Sequence, residues 1–92
     1  MYKITQYTYD RASEIGVFIR PSQNPKYKLD VYSLDGHFIT SCGASNYLDF
    51  PTYMINDGID YALERRRLYK IRHANDRKVL HSRGWYADQL LW

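Results

Sequence analysis

The chain has 92 residues, 45% of them hydrophobic, which fits one domain with a single core and excludes an intrinsically disordered chain. Cys42 is its one cysteine, so an intrachain disulfide and a zinc site with several cysteines are excluded, and a reducing compartment is expected. The net charge of +3 is unevenly distributed along the chain. Between Leu63 and Arg83 there are eight Lys or Arg and two acidic residues, whereas the rest of the chain has five basic and eight acidic residues.

The N-terminal half of the chain predicts antiparallel strands. Alternating β-forming residues over Tyr2–Tyr9 predict a first strand, and the apolar run Ile15–Arg20 predicts a second. Segments 27–34 and 37–42 flank Asp35-Gly36, a dipeptide that accepts the positive φ angles of a tight hairpin turn. Together these segments predict a meander of three or four strands.

A connecting loop is predicted after the hairpin. Residues 43–51 have the composition of a loop, and Gly43 and Asn46 are expected to adopt the left-handed backbone conformation there. Asn56 or Asp57 is then a suitable N-cap for a helix, because a short polar side chain accepts a hydrogen bond from the first free N–H groups.

Two helices are predicted beyond this cap. No residue interrupts a helix from Ile59 to about His73, and Asn75-Asp76 is expected to end it. A short second helix is predicted at about Gly84–Trp92. The predicted fold class is therefore α+β: a small antiparallel sheet of three to four strands, packed with one longer basic helix and a short C-terminal helix, in one domain of residues 1–92.

The basic segment contains the candidate binding residues. Arg65, Tyr69 and Arg72 repeat at i, i+4 and i+7, so they share a helix face on which two guanidiniums flank a ring suited to phosphates or carboxylates. In the alternative interpretation, Arg65 or Arg72 pairs with an internal acid such as Asp49, and Tyr69 belongs to the core. The predicted binding residues are Arg65, Arg66, Tyr69, Arg72, His73, Arg77 and Lys78.

The sequence contains no pattern typical of an enzyme or a metal site. GxGxxG, GxxxxGK[ST], GxSxG, HExxH and CxxC are all absent, and the three histidines lack zinc-ligand spacing. We therefore predict no catalytic residue, no cofactor and no metal. Without an apolar run near 18 residues or a secretory signal, the protein is expected inside the cell, neither secreted nor in a membrane.

Several residues beyond the hairpin form a recognisable pattern. They are Gly43–Phe50, then Arg65, Tyr69 and Arg72-His73, then Gly84-Trp85-Tyr86 and Leu90-Leu91-Trp92. This pattern resembles that of a family of small uncharacterised proteins encoded by large DNA viruses and tailed phages, F-G-A-x-G-Y-x-D-[FY]-T followed by R-x-x-x-Y-x-x-R-H and a final L-L-W. The resemblance covers about residues 27–92. Cys42 stands where the family has an aromatic residue, Asn46 where it has glycine, and Pro51 where it has threonine.

The residues shared with this family suggest a structural constellation in addition to a binding surface. In the expected arrangement, Asp49 accepts hydrogen bonds from Arg65 or Arg72, and two tryptophans cover the pair. The constellation comprises Gly43, Asn46, Tyr47, Asp49, Trp85 and Trp92.

Composition and resemblance together indicate an interaction module. Aromatic residues make up 16% of the chain, ten of them tyrosines, and aromatic and arginine side chains are enriched at protein interfaces. The resemblance implies a viral origin, and together with the aromatic content and the absence of enzyme motifs it favours a virion-associated or assembly protein that binds other virus proteins in the infected cell. Two alternatives remain: a nucleic-acid-binding protein that uses the basic helix expected over 63–83, and an inhibitor of a host defence protein. The acidic remainder of the chain favours protein partners, because a duplex-DNA binder is usually basic throughout.

Overall fold

A computed structural model describes all 92 residues. It contains a three-stranded antiparallel sheet and four α-helices, which confirms the predicted α+β class. None of the helices combines the length and apolar character needed to cross a bilayer. The elements are α1 (Gln6–Ile15), β1 (Phe18–Pro21), β2 (Tyr27–Tyr32), β3 (Phe38–Ala44), α2 (Phe50–Asp57), α3 (Ile59–Arg72) and α4 (Arg83–Leu91), with a 3-10 turn at Asp76–Lys78 before α4.

The predicted strand over Tyr2–Tyr9 is wrong, because Gln6–Tyr9 belongs to helix α1 and the residues before it are in no strand. Thr5 caps the helix by accepting a hydrogen bond from the backbone N–H of Thr8, and Gly16 ends it at a φ of 75°. Thr8 and Ala12 are buried and lie four positions apart, which is the helical period. The strand-like pattern of β-forming residues in this segment is therefore coincidental, and the residues at the two helix ends determine the structure.

The sheet is a meander in the order β1-β2-β3. The predicted second strand is confirmed with a later start at Phe18, and the predicted hairpin joins β2 and β3. Within its turn, Gly36 has a φ of 91°. Because α1 replaces the first predicted strand, the sheet has three strands and no fourth.

Helices α2 and α3 form a hairpin after the loop. Asp49 is the N-cap of α2, and Gly58, at a φ of 87°, separates α2 from α3. Asn56 and Asp57 are therefore the last residues of α2, and their prediction as caps of the basic helix is wrong. Helix α3 spans Ile59–Arg72 and ends before Asn75-Asp76, as predicted. The basic segment 63–83 is therefore not one helix, because beyond Arg72 it continues as a turn, the 3-10 turn at Asp76–Lys78 and a connection to α4.

The C-terminal helix α4 is confirmed and packs against the sheet and α1. Ser82 caps it by accepting a hydrogen bond from the Trp85 N–H. Arg11 of α1 donates to the backbone carbonyl and the side chain of Gln89 at 2.8 and 2.7 Å, which joins α1 to α4.

The main core lies between the sheet, α1 and α4. None of its nine buried residues comes from α2 or α3, so the buried residues of this helical hairpin, which are Phe50, Pro51, Ala62 and Tyr69, lie outside the main cluster. The nine are Ala12, Val17, Ile19, Leu29, Val31, Cys42, Tyr86, Leu90 and Leu91.

Candidate functional site

Tyr69 attaches α3 to the rest of the domain. Its ring stacks on Trp92 with centroids 4.3 Å apart and on His73 with centroids 4.4 Å apart. The two neighbours occupy opposite ring faces, since both lie at stacking distance and small interplanar angles. Burial, followed by the charges of Asp88 and Asp76, raises the pKa of the Tyr69 hydroxyl. Tyr69 therefore belongs to the interior, as the alternative interpretation proposes, and offers no free plate to a ligand.

Arg65 and Arg66 lie against aromatic rings of the same domain. The Arg65 guanidinium carbon is 5.4 Å from the ring centroid of Tyr53, and that of Arg66 is 3.7 Å from the ring centroid of Phe50. Arg66 also donates from Nη2 to the Tyr7 hydroxyl at 3.2 Å. Both Nε atoms are buried without a hydrogen-bond partner. These arginines help to orient the helical hairpin, and Arg65 does not pair with an acid.

Asp49 is buried, but its partners differ from those predicted. It accepts hydrogen bonds from Lys28 Nζ at 2.8 Å, from the Tyr2 hydroxyl at 2.7 Å and from the backbone N–H of Thr52 at 3.0 Å. The predicted bond from Arg65 or Arg72 is wrong because Lys28, a buried residue of β2, neutralises the carboxylate. Burial acts to raise the pKa of Asp49, but the Lys28 charge and the three hydrogen bonds outweigh it and lower the pKa.

The other residues of the predicted constellation do not gather around Asp49. The ring of Trp92 contacts Tyr69 and Tyr53, whereas that of Trp85 contacts His81 and Tyr86. The two tryptophans therefore pack in different aromatic clusters, and their expected role as a cover for an Asp49–Arg pair is wrong.

The predicted backbone conformations of Gly43, the sixth residue of β3, and of Asn46 in the loop before Asp49 are confirmed in part. Gly43 has the expected left-handed conformation at a φ of 78°, but Asn46 does not, since His81 is the one non-glycine residue at positive φ. Asn46 and Tyr47 are exposed, Tyr47 by 64%. They therefore contribute no buried contact to the predicted constellation.

An open groove of about 500 Å³ runs along the outer face of α3. Its lining combines aliphatic and basic side chains and includes no acidic residue. Leu63 is 45% exposed and Ile71 is 61% exposed, so aliphatic surface lies uncovered among the cations. We call this surface the α3 groove; it is lined by Leu63, Arg66, Arg67, Lys70, Ile71, Ala74 and Arg77.

The four cations of the α3 groove differ in how far they are neutralised. Lys70 Nζ contacts the buried carboxylate of Asp88, and Arg67 makes a two-point contact with Glu64 at 2.6 and 3.0 Å. Arg66 and Arg77 take part in no salt bridge. Arg77 instead donates from Nε to the backbone carbonyl of Lys70 at 3.1 Å. Two guanidiniums of the groove are thus held in place by neutral groups and retain uncompensated charge.

The remaining predicted binding residues lie outside the α3 groove. Arg72 and Lys78 are exposed and are not part of its lining. His73 places Nδ1 3.0 Å from the Asp76 carboxylate, and this contact lowers the pKa of Asp76. The structure therefore brings Arg66 and Arg77 together on one surface and leaves Arg65, Tyr69 and His73 in intramolecular contacts.

Leu63, Ile71 and Ala74 are not among the binding residues predicted from the sequence. A signal was present, because Leu63, Arg67, Ile71 and Ala74 follow one another at spacings of four, four and three, as residues on one helix face do. The pattern predicts a stripe but not whether the domain covers it. Here Ala62 and Tyr69 point inward, so this stripe faces outward.

A second exposed apolar surface lies beside the sheet. Phe18 pairs with Tyr32 across strands, Tyr32 pairs with Phe38, and both phenylalanines are more than half exposed. A groove of about 370 Å³ between α1 and β1 adjoins Phe18 and Leu34. No charged side chain lines it, so its chemistry does not indicate a partner, whereas that of the α3 groove does.

Comparisons with protein-family models, curated proteins and solved structures find no match to this chain. The structure also contains no group of three or more His, Cys, Asp or Glu side chains able to hold a metal ion. The α3 groove is therefore the surface whose chemistry indicates a function.

Proposed function

We propose that this protein is a non-enzymatic interaction module that binds another protein through the α3 groove. The observation that carries the proposal is the pair of uncompensated guanidiniums, Arg66 and Arg77, beside the exposed aliphatic side chains of Leu63 and Ile71. Arginine next to uncovered aliphatic surface is typical of protein interfaces, where aliphatic groups lose contact with water and arginine supplies directed hydrogen bonds.

The mixed character of the groove favours a protein over a nucleic acid. Exposed Leu63 and Ile71 have no complement in a phosphodiester backbone, which is bound mainly through cations and polar groups. The predicted stacking plate, Tyr69, is covered on both faces. Several of the basic residues that motivate the nucleic-acid alternative are neutralised or packed internally, namely Arg65, Arg67 and Lys70.

The resemblance to proteins of large DNA viruses and tailed phages supports a virus protein as the partner. In this proposal the molecule is a minor virion or assembly component, and the other form of the same activity is inhibition of a host protein. Mass spectrometry of purified particles distinguishes the two, because a virion component is retained in the particle and an inhibitor is absent from it.

Site-specific photo-crosslinking tests the proposal directly. A photoreactive residue at position 71 is expected to give a defined adduct with one protein in the cells that produce this chain. The matched control is position 55, where Ile55 is 74% exposed on α2, outside the groove. Identical adduct patterns from both positions, or adducts with nucleic acid from position 71, would contradict protein binding at the groove.

The nucleic-acid alternative has its own test in a mobility-shift titration at two salt concentrations. Neutralisation of phosphates releases counterions, so each neutralised phosphate steepens the dependence of log K on log salt by nearly one. If nucleic acid is not the ligand, affinity for random DNA should remain at about millimolar or weaker even at low salt. Tight, strongly salt-dependent binding would favour the alternative.

A further inference from the structure

We propose that the α3 groove accepts an amphipathic helical segment of the partner that presents aliphatic side chains flanked by two carboxylates. This inference rests on the proposed function and specifies the partner's chemistry. Three features of the groove lead to it: its length, the arrangement of its aliphatic residues and the number of its uncompensated charges.

The dimensions of the groove match a short helix. Leu63 and Ile71 are eight residues apart on α3, which corresponds to about 12 Å along the axis. Ala74 extends the aliphatic surface into the turn after the helix. A partner helix lying along this surface reaches it with residues at i, i+3 or i+4, and i+7, the usual anchors of helix-in-groove recognition.

The charges specify how many acids the partner needs. Asp88 and Glu64 already compensate Lys70 and Arg67, so two positive charges remain, those of Arg66 and Arg77. A polyanion would leave most of its charge unmatched here. A segment with two carboxylates beside its aliphatic anchors is complementary to the groove in both charge and polarity.

The two free guanidiniums are held in place before a partner arrives. Phe50 and Tyr7 fix Arg66 by stacking and by a hydrogen bond, and the Lys70 carbonyl fixes Arg77. In each case the Nη1 atom makes no intramolecular hydrogen bond and remains able to donate. A carboxylate that binds a pre-positioned guanidinium immobilises less side chain, so more of the interaction contributes to affinity.

Fluorescence anisotropy with four labelled synthetic helical peptides at about 0.15 M salt tests the inference. The first peptide carries Leu anchors at i, i+3 and i+7 with two flanking Glu, the second replaces both Glu with Gln, and the third replaces them with Lys. The fourth is a scrambled form with the same net charge. We expect the Glu peptide to bind at least about tenfold more tightly than the Gln and scrambled peptides, and the Lys peptide not to bind.

Variants of the protein locate the binding. Arg66→Gln/Arg77→Gln is expected to weaken the Glu peptide at least about tenfold and to remove its advantage over the Gln peptide. Lys3→Gln/Lys26→Gln is the control, because it removes the same charge from exposed residues outside the groove. Ile71→Gln alters only an exposed aliphatic side chain and should also weaken binding of the Glu peptide. It therefore tests the groove independently of any folding defect in the arginine variant.

Three outcomes overturn the inference, and two of them come from binding titrations alone. One is equal binding of the Glu and scrambled peptides, which reveals charge attraction without helical recognition. The other is a single-stranded oligonucleotide that binds more tightly than the Glu peptide at the same salt and displaces it from the groove. A protein crosslink at position 71 combined with no preference for the Glu peptide would reject the amphipathic acidic helix but retain the proposed protein-binding function.

Discussion

At the scale of single residues, Asp49 joins three segments of the chain. Its carboxylate binds Tyr2 of the N-terminal segment, Lys28 of β2 and the first turn of α2. Both members of the ion pair are buried, at 6% and 1% side-chain exposure. Removing Asp49 or Lys28 would leave the other charged group unsatisfied in the interior. The free energy of unfolding therefore depends more on this buried pair than it would on a pair at the surface.

We predict that Asp49→Ala lowers the free energy of unfolding by about 3–5 kcal/mol, because it strands the Lys28 ammonium in the interior. Tyr2→Phe removes a single hydrogen bond and should cost only about 1 kcal/mol. Urea denaturation measures both. Asp57→Ala, on the exposed end of α2, is the control. An Asp49→Ala variant as stable as the control would contradict the role given to this ion pair.

The stability of the domain is also predicted to fall in acid through Asp49. Its pKa in the folded state is below the usual 3.8, so the unfolded chain takes up the proton first as the pH falls. The stabilisation is fully present above about pH 5 and is lost as the pH falls through 3.8 towards the lower folded value. Denaturation at pH 7 and pH 3 should therefore show a smaller acid loss for Asp49→Asn than for the natural chain. Equal losses would exclude this linkage.

Cys42 is predicted to be chemically inert while the protein is folded. Its side chain is fully buried, and burial, opposed by the Arg83 charge, raises the pKa of the thiol to about 12. The nucleophilic thiolate is therefore scarce at neutral pH. Maleimide labelling should proceed only as urea unfolds the chain. Ser45→Cys, an exposed thiol in the adjoining loop, made in a Cys42→Ala background, should label at once; rapid labelling of native Cys42 would refute its burial.

At the scale of elements, Gly43 allows α4 to pack closely on β3. A Cβ built at Gly43 would lie 2.5 Å from Leu91 Cδ1, whereas one at Gly36 meets nothing within 4 Å. Both residues have positive φ, so alanine carries a backbone cost of about 1–2 kcal/mol at either site. Gly43→Ala should destabilise by about 1–3 kcal/mol more than Gly36→Ala, because it overpacks the core. Equal losses in chemical denaturation would mean that Leu91 moves aside freely.

The elements that the sequence predicts well carry local signals. The Asp35-Gly36 turn fixes the hairpin, and the uninterrupted segment from Ile59 predicts α3. Helix α1 was missed because the many β-forming residues of Tyr2–Tyr9 resemble a strand pattern, while the signals that decide the structure are the Thr5 cap and Gly16. A short alternating pattern is therefore a weaker predictor of secondary structure than an N-cap residue matched with a glycine at the C-terminal end of a helix.

The candidate site is only partly predictable, for a different reason. Composition locates the cationic segment, and Arg66 and Arg77 are among the residues it singles out. Which arginines remain uncompensated depends on contacts distant in sequence, such as that of Lys70 with Asp88 and that of Arg66 with Tyr7. A single sequence contains no local signal for such pairs, and the same holds for Lys28 and Asp49.

At the scale of the whole molecule, the α2–α3 hairpin lies outside the main core. The core cluster contains residues of α1, the sheet and α4 but none of the hairpin. The hairpin is attached through the Tyr69–Trp92 stack and the contacts of Arg66, Lys70 and Asp49. A partner bound in the α3 groove contacts the less firmly attached part, so binding should stabilise the hairpin relative to the core.

We predict that amides of α3 exchange with deuterium faster than amides of β2, because opening of the hairpin leaves the main core intact. Tyr69→Ala, which removes the stack on Trp92, should accelerate exchange in α2 and α3 while β2 keeps its protection. Tyr61→Ala on the same helix is the matched control, since Tyr61 is 49% exposed. Hydrogen exchange followed by mass spectrometry resolves the segments. An equal loss of protection in β2 and α3 would show instead that the two parts unfold as one cooperative unit.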